Sequence, residues 1–327
     1  SYTSKSYRFC KRKIMNLGKI SSGKIIYFLI VAAFFYALIL FFSDINKIVL
    51  VLNQIQFEEY IIILPLTILI LLIYGWRYKI ILNKLDIPLN FKDCFLIHTA
   101  GIAMIITPGS VGLIVSNYLL KKRTGHSISS TVPILIFERW LDVVSLTTII
   151  GALLFWNDFI VSQIMFVIGL VLSGFVFFIF KNSVGLNLLN RILIKTKILK
   201  NFVVNTEKFQ DTTKKLISLK TMIYLLSITF LIKIVVMISI FLVFNLFNLN
   251  INFIDSNQIF LTNQFMGVLS FIPGGLIITE TGLLGSIVNR GTDFTVATLL
   301  VLLIRIMTFW FPVFIGFIAL KFVLAKR

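Results

Sequence analysis

Apolar runs of about 20 residues recur along this chain, the length an α-helix needs to cross the hydrocarbon core of a bilayer. Hydrophobic residues make up 58% of the sequence and charged residues only 13%, where a soluble protein carries about a quarter. With a mean hydropathy of +0.99, the chain cannot hide that much apolar surface in a water-soluble core. The expectation is an all-α integral membrane protein. Six spans can be drawn, at about 25–43, 60–80, 131–156, 159–180, 221–247 and 296–320. The first follows a basic segment, 1–24, as a signal peptide would, but it ends Phe41-Phe42-Ser43-Asp44 with no small-x-small cleavage site. It is read as a retained span, with 1–24 cytoplasmic and 25–327 a single polytopic domain. The chain opens on Ser1 rather than Met, which leaves room for an upstream domain.

The net charge of +18 does not imply a nucleic-acid partner, because the basic residues sit between apolar runs instead of on one soluble module. Basic loops beside spans are contacts to anionic lipid and signals of topology. Cys10 and Cys94 fall in segments placed at the cytoplasmic side, and imply no disulfide framework.

Two apolar stretches do not behave as single spans. Asp93 to Leu120 is interrupted by Thr107-Pro108-Gly109, and Gln258 to Asn289 by Pro273-Gly274-Gly275. Proline removes a backbone donor and glycine permits non-helical angles, so each break divides its stretch into two half-helices. Basic clusters flank the first stretch on both sides: Lys79, Lys84 and Lys92 before it, Lys121, Lys122 and Arg123 after it. A full crossing would put one cluster outside, whereas a re-entrant hairpin keeps both inside. With six spans, two such hairpins and cytoplasmic termini, the inner segments hold 26 of the 31 Lys and Arg, the outer ones only Lys47 and Arg290. The second hairpin then enters from the opposite side. Pro108, Gly125 and Arg139 recur as Pro273, Gly291 and Arg305 at closely matching spacing. Inverted repeats with discontinuous helices mark secondary transporters whose site lies near the midplane. The alternative is two unrelated kinks in ordinary spans.

Residues 181–220 form the one long polar connection. Its stretch Gly185 to Lys200 suits a basic amphipathic helix on the inner leaflet, or equally a solvated linker.

Ionisable residues within spans are expensive and line cavities or pair with one another. Glu138 and Asp142 share a helix face beside Arg139, Glu280 lies in the second hairpin, and Lys233 and Arg305 lie in later spans. These groups either bind a substrate or staple helices together. The helix starts after Pro108-Gly109 and after Pro273-Gly274-Gly275 present free N–H groups, which suit a lipid phosphate. Arg139 and Arg305 would add forked donors, and Glu280 specificity or a proton step. Arg77 is placed near a span end as an interface anchor, and the four tryptophans as packing or belt residues. His98 and His126 show no metal-ligand spacing with the cysteines, and neither common nucleotide-binding glycine pattern occurs. No cofactor or metal is implied.

Pro108-Gly109-Ser110-Val111-Gly112, Glu138-Arg139-Trp140-Leu141-Asp142, Ile272-Pro273-Gly274-Gly275-Leu276 with Glu280, and Arg305 in the last span together resemble the lysylphosphatidylglycerol synthase transmembrane (flippase-like) family. The resemblance covers nearly the whole chain beyond its basic start. It implies a bundle with paired re-entrant helices in the cell membrane that handles anionic phospholipid or lipid-linked substrates. Family members often carry Gly-Glu and then Arg after the first Pro-Gly, where this chain has Gly112, Leu113 and Ser116. The family's synthase activity resides in a separate soluble domain and is not carried over. Three functions follow from these residues: a lipid flippase, a membrane scaffold for a glycosyltransferase or lipid-modifying enzyme, and a membrane enzyme using Glu138 and Asp142 on a metal. The lipid and the oligomeric state are left unassigned.

Overall fold

The computed structural model describes residues 30–325 except 32, 55–56, 107–113, 127, 157–158 and 183–205. The basic N-terminal segment, the 185–200 stretch, Pro108 and Gly109 lie outside the described residues. All described secondary structure is helical. In chain order the helices are α1 (Ala33–Phe41), α2 (Ile45–Gln54), α3 (Phe57–Lys84), α4 (Phe91–Ala103), α5 (Ile114–Thr124), α6 (Ile128–Leu153) and α7 (Ile160–Lys181). They continue as α8 (Thr206–Leu216), α9 (Leu219–Leu246), α10 (Phe253–Leu269), α11 (Ile278–Val288), α12 (Phe294–Arg305) and α13 (Phe311–Ala325).

Four of the described spans are long and apolar enough to cross a membrane: Leu64–Lys84, Ile160–Lys181, Leu219–Leu246 and Phe294–Ala325. Helix α6, at 26 residues, is also long enough at about 1.5 Å per residue, but it carries Glu138, Arg139 and Asp142. The first expected span takes a different form. Helix α1 ends at Phe41 and the chain turns by 98° into α2. Ser43 turns its hydroxyl back to the Ile39 carbonyl, and the Asp44 carboxylate accepts from the N–H groups of Asn46 and Lys47 to start the new helix. Such a capping carboxylate satisfies N–H groups that a helix start leaves free. Lys47 of α2 then pairs with Asp293 at 2.7 Å, just before α12.

The two largest apolar clusters among the described residues lie around the hairpins. One gathers Tyr78, Leu82, Cys94, Ile97, Leu120 and Phe137 with Phe209 of α8. The other gathers Ile150, Phe244, Phe260, Phe265, Leu283 and Leu300. Each surrounds one helical hairpin. Helix α5 folds back along α4, and α11 folds back along α10. The sequence starts both hairpins alike: Asn90-Phe91-Lys92-Asp93 and Asn252-Phe253-Ile254-Asp255. Asn90 and Asn252 each accept the N–H of the aspartate three residues on, both at 2.8 Å. Each aspartate is then met by an arginine from the far end of the returning arm, Arg123 at 3.0 Å and Arg290 at 2.5 Å. Gly125 and Gly291 follow these arginines with φ of 78° and 85°, a turn that favours glycine.

The tips of the hairpins meet. The 3₁₀ turn Met104–Ile106 packs on the 3₁₀ turn Pro273–Gly275, and Ile106, Leu276, Phe309 and Val313 close over the junction. Helix α4 also lies along α13, where a Cβ on Gly316 would sit 2.7 Å from the Thr99 carbonyl and the Ala103 nitrogen. Small residues allow such close approach where lipid offers no hydrophobic drive between helices.

Candidate functional site

The charged residues within the spans fall into two groups. The first is built on the break before α11. Pro273 cannot donate a backbone hydrogen bond, and the four residues Phe271, Gly274, Gly275 and Ile277 all have positive φ. For Ile277, a β-branched residue at φ 73°, that is a strained conformation. A Cβ on Gly274 would collide with the ring of Phe309. The strain frees the Gly274 carbonyl from the helix ladder, and Arg305 takes it, Nη2 donating at 2.9 Å.

The same guanidinium donates from Nε to Glu280 Oε1 at 2.7 Å. Its carbon lies 4.6 Å from the centre of the Phe309 ring. Arg305 closes α12, and the π turn Ile306–Trp310 follows at once; such turns recur at functional sites. From α1, Tyr36 donates its hydroxyl to Glu280 Oε1 at 2.8 Å, and Trp310 donates its indole N–H to Tyr36 at 3.3 Å. Glu280 is fully buried, yet among the described residues its Oε2 has no hydrogen-bond partner. Glu280 and Arg305, both singled out in the sequence as charges within apolar stretches, thus contact each other, with the Gly274 carbonyl as a third member. Gly275 lies against Thr279 and the backbone of Gly267, and Pro273 is buried at the junction.

The second group forms where α3, α4, α6 and α9 meet. Arg77 is fully buried, and it donates from Nη1 to Asp142 at 2.7 Å and to the Thr229 hydroxyl at 3.0 Å. Its Nη2 lies 3.6 Å from Glu138 Oε1, and so does His98 Nε2. This corrects the placement of Arg77 as an interface anchor. Helix α3 runs on to Lys84, which puts Arg77 two turns inside the helix, and two carboxylates hold it there. The balance of charges gave no signal for it, because Arg139 and Lys233 already match Glu138 and Asp142 in number.

Arg139 faces outward, its side chain 44% exposed, and among the described residues it pairs with Asp142 alone, at 3.3 Å. No hydrogen bond or ion pair among the described residues joins it to Arg305. Lys233 is buried one turn beyond Thr229 on α9, and forms no ion pair among the described residues. His98 stacks on Tyr74, ring centres 5.6 Å apart, and tilts against Tyr78. Trp140 packs as expected, among Phe137, Phe177 and Phe180, with its N–H on the Ser173 carbonyl. Tyr36 was missed altogether, since a lone tyrosine in an apolar run gives no pattern.

Outside the spans, two exposed carboxylates are held ionised. The Lys215 ammonium, donating to Asp86 at 2.6 Å, lowers that carboxyl from its ordinary 3.8. Lys47 does the same to Asp293, which also accepts the N–H groups of Thr295 and Val296.

Residues 25–316 match the sequence model of the lysylphosphatidylglycerol synthase TM region. The chain is also similar to a UPF0104 membrane protein of Methanocaldococcus jannaschii, 25% identical over 226 residues, which is 68% of this chain and 93% of that one.

Proposed function

From a chain that belongs to the lysylphosphatidylglycerol synthase TM region family, we propose a flippase-like transporter of a phospholipid or lipid-linked substrate, working without catalysis of its own. The α4–α5 and α10–α11 hairpins are the two re-entrant units, entering from opposite sides of the cell membrane, with both chain termini in the cytoplasm. The pairing of the hairpin tips supports this arrangement, as does the recurrence of Asn-Phe-x-Asp and its arginine at each hairpin base.

One observation carries the assignment. Glu280 is fully buried beside a broken helix, with one oxygen held by Arg305 and Tyr36 and the other lacking a partner among the described residues. A buried, half-satisfied carboxylate is unfavourable as a mere staple, and in a membrane it lines a path or a site. In the proposed cycle a headgroup phosphate competes with Glu280 for the Arg305 fork and for the N–H groups that open α11. Glu280 Oε2 then accepts from a hydroxyl or ammonium of the same headgroup. Tyr36 and Trp310 close the site from the α1 side. Arg139, exposed beside Asp142, meets anionic headgroups before they enter.

The test is translocation of a panel of fluorescent phospholipids and a polyprenyl-phosphate sugar in proteoliposomes. Glu280→Gln and Arg305→Lys are expected to lose most of the movement while keeping monodispersity and helicity. Unchanged movement in both folded variants would refute the site. No movement of any lipid by the native chain would favour a scaffold for a membrane enzyme instead.

A further inference from the structure

The group around Arg77 holds more polar capacity than it uses. Among the described residues, Arg77 Nε and Nη2, Tyr78 Oη, His98 Nδ1 and Glu138 Oε1 are buried without a hydrogen-bond partner. Each such atom is unfavourable if nothing else satisfies it, because it has given up water without a replacement partner. Five of them together make room for something beyond a static ion pair. They comprise three donors, one acceptor, and an imidazole nitrogen that serves as either.

Glu138 occupies the centre. Its Oε1 lies 3.6 Å from Arg77 Nη2 and 3.6 Å from His98 Nε2, beyond hydrogen-bond length but within reach of a proton after a small shift of either side chain. Arg77 does not depend on Glu138, because Asp142 and Thr229 already take its Nη1. The carboxyl of Glu138 is thus free to change charge without leaving the guanidinium unpaired. Around it lie Arg77 and Tyr78 from α3, His98 from α4, and Arg139 and Asp142 on its own helix; one step further out, Tyr74 stacks on His98, Cys94 lies near Tyr78, and Lys233 of α9 lies near Asp142. Helices α5, α7, α8 and α10 also pack on α6, and among the described residues none of them contributes an ion pair to this group.

We propose that Glu138 and His98 form a proton-binding site, in which Glu138 takes up a proton and His98 relays it. The step breaks one N–H bond of the His98 imidazolium and forms one O–H bond on the Glu138 carboxylate, and the proton that His98 relays comes from a hydronium ion of the aqueous phase, which is left as water. One consequence rests on the transport reading. With Glu138 ionised, Arg77, Arg139 and Lys233 exceed the two carboxylates by one positive charge, and with Glu138 protonated by two. Proton uptake therefore favours an anionic headgroup in the same region, and by reciprocity the headgroup favours the proton.

The experiment is infrared titration of the purified full chain in lipid nanodiscs in D₂O, from about pH 4 to about pH 9, the range over which buried carboxyls change charge. The observable is the C=O stretch of a carboxylic acid, which a carboxylate lacks. A titrating band is expected in the native chain, lost in Glu138→Gln and retained in Glu138→Asp and Glu280→Gln. His98→Gln is expected to move its midpoint by about half a unit or more. A band unchanged in Glu138→Gln, or no titrating band at all, would overturn the proposal. If Glu138→Gln does not fold, an unmoved midpoint in His98→Gln overturns it equally. None of these readouts involves lipid movement, so a failure of the flippase assignment is separable from a failure of the proton site.

Discussion

Arg123 reaches back across its hairpin to Asp93 at 3.0 Å, tying the last turn of α5 to the first turn of α4. Arg290 does the same to Asp255 at the base of the other hairpin. In both cases the aspartate is held in place by an asparagine cap three residues earlier. The two hairpins are therefore clasped by the same device at their open ends, while their tips meet each other.

Each clasp is partly exposed, with arginine side chains 35% and 32% accessible, so its contribution is modest, on the order of 1 kcal/mol. Reversing one charge, as in Asp255→Arg, is expected to lower the melting temperature in detergent. The swapped pair Asp255→Arg with Arg290→Asp should recover most of the loss. A double-mutant cycle at each hairpin measures the coupling, and the two couplings should agree within a factor of about two to three.

Arg77 behaves differently because nothing of it reaches solvent. Removing it in Arg77→Met leaves Asp142 and Glu138 facing each other across an apolar interior, a loss of about 3–5 kcal/mol. Arg77→Lys should recover only part, since one ammonium cannot reproduce the fork onto Asp142 and Thr229. Thermal unfolding of the three proteins ranks them directly.

Gly274 has φ 61° and lies against the Phe309 ring. Gly274→Ala is expected to destabilise by about 1–3 kcal/mol, the cost of a strained backbone position, together with the collision. Phe309→Ala in the same chain should relieve the collision and leave the φ penalty. Recovery must therefore be partial, as read by melting temperature.

Acid should weaken the ends of the molecule first. Asp86 and Asp293 are lowered from their ordinary value by Lys215 and Lys47. The folded state holds these carboxylates ionised more firmly than the unfolded state does, so their stabilisation is complete above the unfolded value. It is lost as pH falls through the lower folded value. Melting temperature should drop below about pH 4, and Asp293→Asn, which keeps a capping oxygen for α12, should flatten that acid limb. High salt should flatten it as well, because both pairs are exposed.

Much of the fold follows from local chemistry. The apolar runs place α3, α6, α7, α9 and the α12–α13 span to within a few residues, since a bilayer leaves few other options for such stretches. Pro273-Gly274-Gly275 marks the break correctly because proline and glycine act on the backbone wherever they occur. That Glu280 and Arg305 are buried charges beside a broken helix was also legible, because ionisable groups in apolar runs stand out by composition, but which of the buried acids Arg305 meets was not. Even the repeated Asn-Phe-x-Asp was open to reading, although it became meaningful only once Arg123 and Arg290 were seen to answer it.

What tertiary structure alone decided is which distant groups share a space. The bend after Phe41 depends on Asp44 and Lys47 finding the start of α12, contacts that no local window contains. Arg77 became the centre of a buried group only through Asp142 and Thr229, one from α6 and one from α9. Tyr36 came to Glu280 across more than two hundred residues. The physical reason is common to all three. Hydrophobic length and backbone breaks are properties of a single segment, whereas the partner of a buried polar group is set by how helices pack. The sequence determined that these charges must be paired; the packing of the helices determined with what.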